Sequence, residues 1–128
     1  MPNFAVTPQD YPGAVPGDFR LRSMDMAAAI QIARASAPAM TLTQLAVFLT
    51  IASEEGLRLK DLCARTRESQ ATISRSVGLL TTTGYRGTRK SGYGLVALLG
   101  DLNDGRVRRA ALTADGRRLF AEIECAFQ

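Results

Sequence analysis

The sequence predicts a mainly α-helical domain with one small β-hairpin, and three observations predict it. Apolar residues recur at helical spacing in four segments before residue 84 and in a fifth after Thr113. Residues 93–99 and 106–112 read as two strands, and the turn formers Asp101, Asn103, Asp104 and Gly105 lie between them. A short helix, a tight turn at residues 66–68 and a longer helix precede that hairpin, so the order of elements is that of a winged helix-turn-helix.

At 128 residues and 46% hydrophobic content, the chain suits one domain with its own core. Residues 1–22 carry Pro2, Pro8, Pro12 and Pro16 together with Gly13 and Gly17, and read as an N-terminal arm ahead of a domain at 23–128. Such an arm is either a disordered leader or a strap across a partner subunit, with Phe4, Tyr11 and Phe19 as its anchors. From Ser23 to about Ala37 the alanine- and methionine-rich segment predicts a first helix. Met26, Ile30 and Ala33 mark its apolar face, and Pro38 ends it. Thr41 and Gln44 have capping-box spacing, in which hydroxyl and amide satisfy backbone donors reciprocally. A second helix follows at 45–52, with Leu45, Phe48, Leu49 and Ala52 turned to the core. Leu57, Arg58 and Leu59 read as a short extended piece, and residues 60–65 as a helix with Leu62 inward.

The stretch 69–83 carries the most information. Ile73, Val77 and Leu80 fall at i, i+4 and i+7, so one narrow face seats on the core while Gln70, Thr72 and Arg75 point elsewhere. Ser69 suits the N-cap and Gly84 the left-handed residue that stops a helix. After it come Arg86, Arg89 and Lys90 in a glycine-punctuated loop, then the hairpin. Thr113 caps a last helix over 114–127 with Leu119, Ile123 and Phe127 four residues apart.

The formal net charge is +4 and the pI about 9.6, a weak pointer to an anionic partner until its location is considered. Residues 57–90 hold eight basic side chains against Asp61 and Glu68, so the positive charge surrounds the helix at 69–83 and the rest of the chain is net acidic. No apolar run approaches the roughly 18 residues of a membrane span, and the N-terminus lacks the pattern of a secretory signal, so a cytoplasmic protein is expected. Cys63 and Cys125 are too few and too far apart for a disulfide framework or a zinc site, and both read as reduced, buried, small apolar residues rather than sensors. Histidine is absent, and no nucleophile–base pair, phosphate-cradling glycine motif or acidic cluster can be assembled. The expectation is a protein that is not an enzyme and uses no cofactor and no metal.

Three segments and a wing tip resemble the MarR family of bacterial transcriptional regulators. Residues 43–48, TQLAVF, resemble the family's opening of its second helix, and residues 59–64, LKDLCA, the short helix of its helix-turn-helix. Residues 69–84, SQATISRSVGLLTTTG, resemble its recognition helix. Asp104-Gly105-Arg106, followed by Leu112-Thr113-Ala114-Asp115-Gly116, resembles its wing-tip DxR and LTxxG motifs. The likeness covers about residues 40–120 and implies a DNA-binding regulator in which helix 69–83 reads the major groove and wing 93–112 the adjacent minor groove. By that likeness Arg106 enters the minor groove and Asp104 steadies it. The sequence departs from the family at Gly78 and Leu79, where charged residues are usual, in the longer link at 86–92, and in ending at Gln128, short of the long helices of the usual dimer.

Double-stranded DNA is therefore the expected partner. Amide and guanidinium groups at Gln70, Thr72 and Arg75 would meet base edges, each good bidentate pair contributing about 1–3 kcal/mol of discrimination. Ser69 and Ser74 suit phosphate contacts or caps. Arg106 and Arg108 share one face of the hairpin and suit a narrow minor groove, unless they only keep an edge strand from aggregating. Arg86, Arg89 and Lys90 suit phosphates or a solvated loop. A homodimer built from the first helix, the arm and the last helix is expected, with a small-molecule effector beside it. The rival is a winged helix that binds protein through Leu79 and the N-terminal aromatics and has no specific affinity for DNA.

Overall fold

The computed structural model describes residues 17–81, 92–101 and 103–127, the first five of these by backbone alone. The proline-rich residues 1–16 with Phe4 and Tyr11, the Phe19 side chain, and residues 82–91 with Gly84, Tyr85, Arg86, Arg89 and Lys90 lie outside it. The described elements are α1 (Gly17–Ser36), α2 (Leu42–Ser53), α3 (Leu59–Thr66), α4 (Gln70–Leu80), β1 (Val96–Gly100), β2 (Arg108–Leu112) and α5 (Ala114–Cys125). Among the described residues no helix is long and apolar enough to cross a membrane.

The capping box at α2 forms as its spacing predicts. Thr41 Oγ1 accepts from the Gln44 N–H, and Gln44 Oε1 accepts from the Thr41 N–H, both at 3.1 Å. Helix α2 then buries Val47, Phe48 and Ile51 completely. Leu62 of α3, Ile73, Val77 and Leu80 of α4, and Val96 and Ala110 of the hairpin close around them. Removing each large side chain of this set from water contributes about 1.5–3 kcal/mol. This packing clamps α3 and α4 against α2.

The hairpin is antiparallel, pairing Val96 with Leu112 through Gly100 with Arg108. Its strands differ from the expected 93–99 and 106–112: β1 starts only at Val96, because residues 93–95 bond to the end of α4, and β2 only at Arg108, because the turn at the tip closes at Val107. There Asp101 Oδ1 accepts from the Asn103 N–H at 2.7 Å, and the Val107 N–H donates to the Asp104 carbonyl at 3.0 Å. The extended piece at Arg58 bridges Arg109 as a rudimentary third strand. The Ala110 N–H donates to the Leu57 carbonyl at 2.9 Å, and the Gly56 N–H to the Ala110 carbonyl at 2.8 Å. The wing is thereby tied to the residue that opens α3.

Several expectations are corrected. Helix α1 starts at Gly17, so residues 17–22 of the expected arm are helical backbone. Its buried residues are Ala29 and Ala33, with Ala37 just past its end, whereas Met26 and Ile30 remain 58% and 39% exposed. Small side chains let α1 lie close on α5, and the longer ones stand outside that contact. In α2 the side chains of Leu45, Leu49 and Ala52 are only partly buried, because Val47, Phe48 and Ile51 take the core face. Phe127 lies past the end of α5 and is 53% exposed, and Cys125 is exposed while Cys63 is partly buried against the core.

Candidate nucleic-acid interface

Helix α4 is held at both ends by bonds its sequence supplies. Ser69 Oγ accepts from the Thr72 N–H at 3.1 Å and donates to Thr72 Oγ1 at 3.0 Å, fixing the first turn as the N-cap expectation required. The helix stops at Leu80 rather than at 83. Thr81 turns extended, its hydroxyl donating to the Gly78 carbonyl at 2.7 Å. The carbonyls of Leu79, Leu80 and Thr81 are taken by the N–H groups of Tyr93, Leu95 and Gly94 at 2.9, 2.9 and 3.3 Å. Those bonds satisfy groups a helix terminus leaves open, and a run of β-branched threonines gives no incentive to continue. They also fix the start of the hairpin against the end of α4.

On the outer face of α4, Gln70, Ser74 and Arg75 are exposed and Thr72 is half-buried, facing Ser69. At the wing tip Asp104 Oδ1 accepts from the Arg106 N–H at 3.0 Å and lies 3.4 Å from Arg106 Nε, so the arginine is anchored at its base while 94% of its side chain is in solvent. Gln70, Arg106 and Arg108 come together: they line one cleft of about 350 Å³ with Arg58, Leu59, Lys60 and Val107. Arg86, Arg89 and Lys90 lie outside the described residues.

Arg58 and Lys60 were not singled out from sequence. The usable signal was the Arg58–Asp61 spacing. Asp61 Oδ2 accepts from the Arg58 backbone N–H at 3.0 Å and from its Nε at 3.2 Å, which fixes the first turn of α3. This pairing with the Arg58 side chain holds the Asp61 carboxyl below its ordinary range. Arg109 points away from Arg106 and Arg108, as alternation on a strand requires. Its Nε donates to Asp101 Oδ2 at 2.8 Å and its Nη1 to the Gly56 carbonyl at 2.9 Å. Asp101 is in turn held below its ordinary range, first by the Asn103 N–H and then by Arg109.

Internal pairing therefore sorts the cations. Arg65, Arg109, Arg117 and Arg118 meet Glu54, Asp101, Glu55 and Asp115 at 3.0, 2.8, 3.0 and 2.6 Å. Among the described residues Arg34, Lys60, Arg67, Arg75 and Arg108 make no ion pair with the chain's own carboxylates. Three of those five lie on α4 or in the cleft beside it.

A helix pair packed on a third helix, followed by a wing tied to its base, defines a winged helix-turn-helix. The fold is the one shared by MarR family transcription regulators. One of that family superposes with a TM-score of 0.58 at 19% identity over 85% of this chain, which spans 64% of its length. The Staphylococcus aureus MepR–DNA complex gives 0.64 at 20% identity, covering 88% of this chain and 83% of MepR. PcaV of Streptomyces coelicolor, in complex with its natural ligand, gives 0.55 at 24%, covering 98% and 78%. No family model and no curated protein matches the sequence.

Proposed function

We propose that the chain is a sequence-specific double-stranded DNA-binding regulator of transcription, acting in the cytoplasm as a homodimer. In this reading α4 lies in the major groove with Gln70, Thr72 and Arg75 at base edges, and Ser69 and Ser74 at phosphates. The wing carries Arg106, braced by Asp104, into the adjacent minor groove, with Arg108 facing the strand at its rim. Arg86, Arg89 and Lys90, outside the described residues, are proposed as phosphate contacts from their charge alone. The observation that carries the reading is the single cleft shared by the first residue of α4 and the wing-tip arginines, lined by four cations of which Lys60 and Arg108 meet no carboxylate among the described residues. Likeness to the MepR–DNA complex supports it.

The test is fluorescence anisotropy on DNA from immediately upstream of the coding sequence, with scrambled DNA beside it. Tight, salt-sensitive binding that prefers the upstream fragment is expected. Arg75→Ala and Arg106→Ala should each lose about 1–3 kcal/mol of that preference. Equal weak binding to both DNAs, unchanged in the variants, would discard the reading in favour of a protein-binding winged helix. A small-molecule effector is part of the proposal by likeness to the PcaV complex, and would release the upstream fragment in the same assay.

A further inference from the structure

The cleft between α3 and the wing is more than a junction of two reading heads. One wall bears Gln70, which opens the major-groove helix, and the other bears Arg106, at the tip of the wing. The adjacent major and minor grooves of a duplex are separated by one sugar–phosphate backbone. If Gln70 and Arg106 enter adjacent grooves, the object between them is that backbone. The remaining polar lining is Arg58, Lys60 and Arg108, with no acidic residue among the seven that form the cleft. Lys60 and Arg108 are exposed and unpaired among the described residues, and Arg58 is held in place by Asp61. A compact ammonium and a guanidinium fork facing the same opening are the groups that bind phosphodiester oxygens.

We propose that Lys60 and Arg108 form a phosphate seat for the DNA strand dividing the two grooves, positioned by the Arg58–Asp61 pair, so that α3 contributes affinity and register rather than only bracing α4. The proposal rests on the DNA-binding reading above. Such contacts act on any sequence, because every nucleotide carries the same phosphate.

The experiment measures the dependence of log Kd on log salt concentration for the full chain and for Lys60→Gln, Arg108→Gln and Arg34→Gln, on upstream and scrambled DNA. Circular dichroism melts verify that each exposed substitution leaves the fold intact. Lys60→Gln and Arg108→Gln should each lower the slope by about 0.9, the loss of one phosphate contact, and weaken both DNAs by the same factor. Arg34→Gln, which removes an equally unpaired cation from α1, should leave the slope unchanged. Wild-type slopes retained in both cleft variants, or an equal loss in Arg34→Gln, would overturn the seat while the DNA-binding reading stood. A wild-type chain that binds no duplex in a salt-dependent way would overturn both.

Discussion

Gly116 shows how one residue fixes the seat of a whole element. It lies in the first turn of α5, where the Thr113 hydroxyl accepts its N–H at 3.0 Å. A Cβ added there would run into the Leu95 carbonyl oxygen, which already accepts from the Thr113 N–H at 3.1 Å. Helix α5 can therefore approach the strand entrance only over a bare backbone. Gly116→Ala should destabilise the chain by about 1–3 kcal/mol, although alanine is the better helix former by about 1 kcal/mol. Gly105→Ala, with open space around it, should stay within about 0.5 kcal/mol of the parent. Urea melts of the two variants check this, and equal midpoints would refute the close-approach account. Residues of this kind were visible in the sequence only as motif letters. The LTxxG likeness placed Gly116, but the reason for a glycine is a backbone contact between segments twenty residues apart, which no local pattern encodes. Ser69, Thr41 and Thr113 were legible for the opposite reason, since a cap needs only its own next three residues.

Elements are joined by carboxylates whose ionisation holds the joints. Glu55 follows α2, accepts the Leu112 N–H at the end of β2 at 3.0 Å, and pairs with Arg117 of α5 at 3.0 Å. The Leu112 N–H, more than Arg117, holds its pKa below the ordinary value against a smaller opposing cost of burial. Asp61 at the start of α3 and Asp101 at the wing are lowered likewise. A carboxylate with a folded pKa below its unfolded one stabilises the fold at pH above the unfolded value, near 4, and that contribution is lost as pH falls through the folded one. The melting temperature should thus be flat from neutral pH to about 5 and fall below about 4. Glu55→Gln, which keeps an acceptor for Leu112 but loses the charge, should cost less than about 1 kcal/mol at pH 7 and flatten the acid decline. Melts across this pH range, parallel in parent and variant, would contradict the assignment. Boundaries were the least legible feature at this scale. Helix α4 ends at Leu80 because the segment 93–95 captures its last carbonyls, a long-range cause that also delays β1 to Val96, and β2 starts at Arg108 because the turn at the tip closes at Val107.

At the scale of the molecule, two surfaces among the described residues matter most, and they share no residue. The basic cleft belongs to α3, α4 and the wing. The second surface is an apolar groove of about 470 Å³ on α1, α2 and α5, lined by Met26, Ile30, Leu42, Leu45, Leu49 and Phe127 among others. Leu42 is 77% exposed there, and Met26 and Phe127 are each more than half exposed. This explains why apolar residues of α1 and α2 that read as core from their spacing are not core. Periodicity reports that a face leaves water, not whether it does so within one chain. A second copy is the occupant we propose, because one winged helix contacts only a few base pairs and two half-sites about one turn apart multiply affinity and specificity, while the cleft stays open for DNA. Sedimentation equilibrium of the parent should then give a dimer mass, and Ile30→Glu with Leu42→Glu should give a monomer that melts as a folded chain. On DNA, the monomeric variant should retain the parent's weak affinity for a single half-site and lose the gain on a two-half-site fragment, on the order of 100-fold or more by effective concentration. A parent that sediments as a monomer on its own and on the two-half-site fragment would eliminate the second copy and assign the groove to a partner of different sequence.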